Sequence, residues 1–216
     1  MYQRSISKIT QNTIHQGFLG QGHSASAILD GIPYEDSDPF IVFMDDRLDL
    51  PIGVPSGSPH PHAGLETLTL VLEGNETDWK TGSFELMTAG KGIIHTEEII
   101  FEKSLRILQV WLVLPPGKKW TQPFWQKILL EDVPTIKNIN SEIRVYSGSS
   151  NGLTSPIMNH TPLTLVDFRL NALKHHAGIT SQSQRINLCT KWECPGERSN
   201  YQCGRNRLVE QIKQTN

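Results

Sequence analysis

The stretch HPHAGLETLTLVLEG, residues 60–74, decides the fold class of this 216-residue chain. Its second part alternates leucine with threonine, valine or glutamate at a period of two residues, which is typical of a β-strand. Leu68, Leu70 and Leu72 would share one face of this strand, and Glu66 has the same parity. An unbroken pleat extends that parity back to the two histidines of the stretch, so we expect them to point inward with the leucines.

Similar short runs lie on both sides of this stretch and are separated by turn residues. Their β-branched and aromatic content, their spacing and the lack of alternating helices favour an all-β protein, an antiparallel barrel or sandwich. Within the tail, the segment from Glu210 to Lys213 is the part that looks helical. The runs are DPFIVFMDD (38–46), SFELMTAGKG (83–92), LRILQVWLVLPPG (105–117), IRVYSGSSNG (143–152) and PLTLVDFRL (162–170).

The run over residues 105–115 is apolar on both faces, which predicts a strand covered on both sides by another barrel or another chain.

Composition excludes several classes of function. The chain has 20 Lys and Arg against 22 Asp and Glu, so its net charge gives no reason to bind nucleic acid or anionic lipid directly. No apolar run approaches the roughly 18 residues of a membrane span, and the N-terminus lacks the apolar region of a secretory signal. We therefore expect no membrane association and a cytoplasmic location, or a nuclear one if the chain is eukaryotic.

Two short motifs indicate metal chemistry. His60 and His62 are two residues apart, so on an extended strand both rings lie on one face, with Cα atoms roughly 7 Å apart. His95 and Glu97 repeat this spacing after the glycine-rich turn at residues 88–92. The two strands must be neighbours for the pairs to converge.

The alternative is structural, because HxH pairs arise by chance and a lone buried histidine is commonly a core residue. Two such pairs, each on a predicted strand and beside a glycine turn, favour a metal site, since imidazoles and a carboxylate are typical non-thiolate ligands.

Three cysteines, Cys189, Cys194 and Cys203, fit neither a disulfide framework nor a zinc knuckle and are interpreted as reduced thiols.

The quoted segments resemble the pirins, a branch of the cupin superfamily of small jelly-roll-like β-barrels. The resemblance covers about residues 35–170 and is most specific in HPHAGLETLTLVLEG and LMTAGKGIIHTE. It implies that His60, His62, His95 and Glu97 hold the metal, with Fe(II) the usual ion and other divalent metals still open. Many other cupins use the acid after HxH as a ligand, and parity permits this for Glu66, but the pirin pattern favours Glu97. We therefore expect Glu66 to hold an imidazole in its tautomer, or else to be a carboxylate at the barrel rim.

The resemblance further implies an Fe(II)-dependent dioxygenase of the quercetin 2,3-dioxygenase type, with a small aromatic, flavonol-like substrate and Glu97 as the catalytic base. Trp111, Trp120 and Trp125 could line such a pocket, and Lys91 could attract an anionic substrate. The alternatives are a redox-responsive interaction module of the transcriptional co-regulator type, without enzymatic activity, and a metal-free structural relic.

The second half departs from the pirin pattern. We predict a complete metal-binding barrel over residues 1–135, the start of a second cupin barrel over 136–173, and a divergent, irregular tail over 174–216. The tail has seven Lys or Arg and three Asp or Glu, a net charge of +4, and almost no period-two pattern. A partial second barrel exposes strand edges and apolar surface, which predicts a protein partner or a homo-oligomer through that surface.

Overall fold

A computed structural model describes residues 8–11, 13–49, 58–75, 78–96, 104–139, 141–170, 185–189 and 208–212. Almost all of the regular structure is β, so the all-β fold class predicted from the sequence is confirmed. One four-residue α-helix, α1 (Tyr34–Ser37), and two 3-10 turns, Pro116–Lys118 and Leu130–Asp132, complete the described elements.

The strands are numbered in chain order. The first nine are β1 (Lys8–Gln11), β2 (His15–Gln16), β3 (His23–Ala27), β4 (Phe40–Leu48), β5 (His60–His62), β6 (Leu65–Glu73), β7 (Phe84–Thr88), β8 (Ile93–His95) and β9 (Leu105–Val113). The others are β10 (Phe124–Ile128), β11 (Thr135–Asn138), β12 (Ser141–Ser147), β13 (Ser149–Ser150), β14 (Leu153–Thr154), β15 (Leu165–Leu170), β16 (Arg185–Cys189) and β17 (Leu208–Ile212).

Seven of these strands form an antiparallel sheet in the order β10, β7, β6, β9, β4, β3, β2. Strands β6 and β9 lie at its centre, where Leu68 pairs with Val110 and Leu70 with Leu108. Both strands are buried along most of their length, as expected for β-branched and leucine-rich runs covered on two sides. The prediction for residues 105–115 holds in part: both faces of β9 are buried from Leu105 to Leu108, whereas Gln109, Trp111 and Val113 on one face are only partly buried. Coverage by another barrel or another chain stays a prediction.

The two faces of β6 bury different kinds of side chain. The even-numbered face, with Leu68 and Leu70, packs into an apolar core that includes Phe84, Leu86 and Tyr146. On the odd-numbered face, the buried side chains of two threonines and Val71 line a cavity.

The predicted continuity between the histidines and the leucines is wrong. Gly64, between β5 and β6, has a φ of +71°, which takes the chain out of the extended conformation and breaks the pleat. As a result, His62 contacts Trp111, the β9 partner of the odd-numbered Thr67, whereas Glu66 follows the leucines into the core. Parity counted across a glycine with positive φ does not carry over from one strand to the next.

The later part of the chain adds smaller sheets. Strands β11, β12 and β15 form a three-stranded antiparallel sheet, and β13 pairs with β14. Tyr146 and Ile157 from this part contribute to the main apolar core, so it packs directly on the seven-stranded sheet. The domain limits at residues 135 and 173 stay predictions.

The described part of the tail consists of two strands, β16 and β17, and β17 pairs with both β16 and β1. The helix expected from Glu210 to Lys213 is therefore wrong, since Leu208–Ile212 is a strand. A helix this short has a costly nucleus, whereas a strand between two neighbours satisfies its main-chain groups on both sides. The other residues of the tail, including Cys194, Cys203 and the pair His175 and His176, lie outside the described residues.

Among the described residues, none of the helices has the length and apolar character needed to cross a membrane.

Candidate metal centre

Two three-residue strands bring the histidines together. Strands β5 and β8 pair antiparallel, with His60 opposite His95 and His62 opposite Ile93. The turn before β8 contains Gly90, at φ +51°, and Gly92, at φ +128°, conformations that other residues rarely adopt. The glycines of TAGKG thus turn the chain so that β8 runs beside β5. The sequence analysis required these two strands to be neighbours for the motifs to converge.

The three imidazoles form one cluster. The potential ligand nitrogens of His60, His62 and His95 all lie within 4.8 Å of one another. Their ring centroids are 4.9 Å apart for His60 and His62, 4.5 Å for His60 and His95, and 5.0 Å for His62 and His95. His62 is buried, and the other two rings are partly exposed.

The hydrogen bonds leave two of the rings with nitrogens suited to a metal. His60 Nδ1 lies 3.0 Å from the carbonyl oxygen of Ser58. Because a carbonyl only accepts, Nδ1 carries the hydrogen and Nε2 keeps the lone pair that a metal needs. His95 Nε2 is buried and has no hydrogen-bond partner among the described residues. An unpartnered buried nitrogen is costly in an apolar site, and a bound cation would satisfy it.

The electrostatic environment keeps two of the rings neutral. Burial lowers the pKa of the His62 imidazole, and a charge on His60 would lower it further. For His95, burial and then the two neighbouring imidazoles lower the pKa to about 4. A neutral imidazole is the form that coordinates a metal, so these rings need not lose a proton at neutral pH.

Taken together, these residues fit a divalent transition metal. Imidazole ligands suit zinc, copper, iron and nickel, and three protein ligands of this kind leave coordination positions open for a substrate. The fit rests on the clustered nitrogens and on the unpartnered Nε2 of His95. Glu97, the fourth residue expected in the set, lies outside the described residues, so its role stays a prediction.

Glu66 is fully buried on β6, and its hydrogen bonds among the described residues go to groups other than the three clustered imidazoles. Its Oε1 accepts hydrogen bonds from the hydroxyl of Thr88 and from the main-chain N–H of His160, and its Oε2 accepts one from the N–H of Thr161, each at 3.0 Å. The expectation that Glu66 orients an imidazole is therefore wrong, and so is the barrel-rim alternative. It is a buried anchor for the segment around residue 160.

Two aromatic side chains flank the histidines. Trp111 makes an edge contact with His62, with ring centroids 4.8 Å apart, and Trp125 faces His95 at 6.3 Å. Trp125 also lines the cavity beside His95, as the sequence suggested, whereas Trp120 is 83% exposed. Lys91 is exposed and does not line this cavity.

The cavity has a volume of ≈ 230 Å³ and extends from His95 along the odd-numbered face of β6. Its walls include residues that the sequence analysis did not single out, namely Thr67, Thr69, Trp79, Ser83, Glu85 and Lys127. The alternation in SFELMT gives Glu85 and Met87 one face, but which face meets the histidines could not be decided before the break at Gly64 was known.

Comparison with known proteins finds similarity to pirins, the family that the sequence resembles, over the residues of the candidate site. A family model described as Pirin matches residues 33–112, which include all three clustered histidines. Over 142 residues the chain is 37% identical to Pirin-like protein 2 of Arabidopsis thaliana, covering 62% of this chain and 43% of that protein. Over 150 residues it is 31% identical to Pirin of Homo sapiens, covering 65% and 51%. The chain spans about half the length of the curated relatives it matches.

Solved structures share the fold. The crystal structure of GK1651 from Geobacillus kaustophilus superposes with a TM-score of 0.68 at 26% identity, covering 87% of this chain and 73% of that chain. A quercetin 2,3-dioxygenase from Acinetobacter baumannii superposes with a TM-score of 0.66 at 23% identity, covering 87% and 68%. The cupin-type fold expected from the sequence is thereby confirmed.

Proposed function

Because residues 33–112 place this chain in the pirin family, we propose that it is a metal-binding protein that acts as an Fe(II)-dependent dioxygenase on a small aromatic, flavonol-like substrate. The observation that carries the proposal is the cluster of His60, His62 and His95, in which a buried Nε2 lacks a partner. The fold shared with a quercetin 2,3-dioxygenase supports the choice of reaction.

The three histidines would hold the ion, with Glu97 as the fourth ligand. A bound Fe(II) ion supplies Lewis acidity and a site for one-electron chemistry with O₂. The chain's own residues have the tasks of binding and orientation. The His60 Nδ1–H bond to the Ser58 carbonyl fixes that ring, and His62 is itself buried, so water has little access to its imidazole.

The aromatic substrate would lie in the cavity beside His95. Trp125 offers a planar apolar surface at the histidine end, suited to stacking on an aromatic ring. Glu97 would accept the proton of the substrate hydroxyl, in keeping with the base role inferred from the resemblance.

The cytoplasmic location expected from the sequence stays a prediction.

The test is oxygen consumption by the purified full chain loaded anaerobically with Fe(II) and then given quercetin and O₂. We expect uptake of O₂ that requires both iron and quercetin and that falls at least 100-fold in His62→Ala. His15→Ala is the matched control, since His15 is exposed on β2 and distant in sequence from the cluster. Iron-loaded protein that binds quercetin but consumes no O₂ would overturn the dioxygenase proposal and leave the metal site standing.

A further inference from the structure

The cavity beside His95 is built from two rows of side chains set by the strand register. In the first row, Met87 of β7 lies between Thr67 of β6 and Trp125 of β10. In the second row, Glu85 lies between Thr69 and Lys127. Successive residues on one face of a strand are about 7 Å apart, so the Glu85 row lies one such step beyond the Met87 row.

The two rows differ in chemistry. Met87 is 2% exposed and, with Trp125, makes the part nearest His95 largely apolar. Beyond it, Thr69 and Ser83 are buried at 8% and 3% exposure and bring hydroxyl groups to the wall. The cavity therefore has apolar side chains, Met87 and Trp125, near the imidazole cluster and hydrogen-bonding side chains around Glu85. Val71 and Trp79 add apolar surface to the same wall.

Glu85, on β7, brings a carboxyl group to the second row. It is half-buried, and within the part of the chain that the structure describes its carboxylate makes no hydrogen bond or ion pair. Lys127, its neighbour across the strands, instead donates from Nζ to the main-chain carbonyl of Asp78 at 2.8 Å. A carboxylate that lines a cavity and has no donor among the described residues can accept a hydrogen bond from a ligand.

The surroundings also affect the proton affinity of this carboxyl. Burial raises the pKa of Glu85, and the nearby Lys127 ammonium acts in the opposite direction. A carboxyl with a raised pKa binds a hydroxyl group well in either state, because it accepts when ionised and both donates and accepts when protonated.

Two simpler roles for Glu85 do not match the geometry. A structural ion pair with Lys127 would place the ammonium within 4.0 Å of the carboxylate, and none is formed between these two described residues. A fourth metal ligand would belong to the cluster of donors within 4.8 Å, which contains the three histidines alone among the described residues.

We propose that Glu85, with Thr69 beside it, is a specificity-determining site that selects ligands carrying a phenolic hydroxyl at the end remote from the metal-binding oxygens. This inference rests on the proposed function, since it takes the imidazole cluster as the place where the other end of the ligand binds. The volume of ≈ 230 Å³ is below the ~300–1,000 Å³ of pockets for drug-sized ligands, so one hydroxylated ring fills it.

The experiment compares two flavonols that share the metal-binding oxygens. Quercetin carries further hydroxyl groups on its outer rings, and 3-hydroxyflavone carries none. Dissociation constants for both would be measured by calorimetry on the full chain as purified, with its metal, in the absence of O₂. A hydrogen bond to a carboxylate contributes roughly 1.5–3 kcal/mol, so we expect the wild type to favour quercetin by about tenfold or more.

Three variants make the comparison specific. Glu85→Gln keeps the size and the hydrogen-bonding capacity and should retain the preference within about threefold. Glu85→Met removes the polar group at similar length and should bring the two affinities within about twofold, with 3-hydroxyflavone binding unchanged. Thr69→Val, which is isosteric, should reduce the preference by a smaller factor, and unfolding curves would show that each variant is folded.

Retention of the full preference in Glu85→Met, equal weakening of both ligands, or no binding of either ligand would overturn the inference. Failure of the proposed dioxygenase activity has a different signature, namely absence of O₂ uptake while the quercetin preference and its dependence on Glu85 persist.

Discussion

Glu66 Oε2 accepts a hydrogen bond from the main-chain N–H of Thr161 at 3.0 Å, across 95 positions of sequence. The same carboxylate accepts from the N–H of His160, and the Thr161 hydroxyl donates to the carbonyl of Val113 on β9. The centre of the seven-stranded sheet is thereby tied to the segment that leads from β14 to β15. Integrity of the histidine-bearing half thus depends on residues well beyond it.

Glu66→Ala should destabilise the protein strongly without removing its metal. The change leaves two main-chain N–H groups without their acceptor, and each such buried donor costs roughly 1–3 kcal/mol. We expect the free energy of unfolding, from urea titration, to fall by about 3 kcal/mol, and the metal content per folded chain to stay at the wild-type level. Loss of metal with unchanged stability would mean that Glu66 belongs to the metal site.

Gly90→Ala should disrupt the turn that places His95. At φ +51° a side chain is strained, and a Cβ at this position would overlap the carbonyl oxygen of Thr121. We expect a loss of about 3 kcal/mol or more in the free energy of unfolding, together with weaker metal binding. Gly31→Ala is the control, because Gly31 has a similar φ of +70° with nothing within 4 Å and should lose only about 1 kcal/mol. Equal losses in the two variants would contradict the role assigned to the Thr121 contact.

Much of this site could be predicted from local sequence, and the reasons are physical. His60 and His62 lie on one strand, and the glycine turn before His95 marks the return of the chain, so their convergence follows from strand geometry and from the family resemblance. Glu66 shares a face with the leucines of β6, as its parity predicted, but the side of His60 and His62 relative to that face could not be predicted, because it depends on the backbone conformation of Gly64. Its partners at residues 160 and 161 are set by tertiary packing and leave no local signal.

The tail shows a similar limit. The segment from Glu210 to Ile212 has no decisive periodicity, and its pairing partners in β1 and β16 are distant in sequence. Backbone hydrogen bonding to those partners overrides a weak local preference for helix.

Arg106→Met should be among the most destabilising single changes in the main sheet. Arg106 Nε and Nη2 donate to the two oxygens of Asp45 at 3.0 and 2.8 Å, and both side chains are buried. Removing the cation leaves a buried carboxylate without its counter-charge, which costs roughly 3–5 kcal/mol. The control is Arg47→Met, since Arg47 lies 3.7 Å from Glu73 in an exposed pair that contributes about 0–1 kcal/mol. Comparable urea midpoints for the two variants would contradict this assignment.

Glu85→Gln should raise stability at neutral pH but not in acid. Burial raises the pKa of Glu85 in the folded state above its unfolded value, so the folded protein holds this proton more tightly. The resulting stability is present at low pH and is lost as pH rises through the folded pKa, whereas glutamine does not ionise. We therefore expect the variant to exceed the wild type in free energy of unfolding at pH 7.5, with the difference shrinking to near zero at pH 4. An unchanged difference at the two pH values would show that Glu85 ionises like an exposed residue.

The metal content of the purified chain tests the central claim most directly. Elemental analysis, with reconstitution by Fe(II), should give one metal ion per wild-type chain and per His15→Ala chain, because His15 is remote from the cluster in sequence and exposed. His60→Ala, His62→Ala and His95→Ala should each fall below a tenth of that value while remaining folded by circular dichroism. Wild-type metal content in any one of these three variants would contradict a centre built on the three imidazoles.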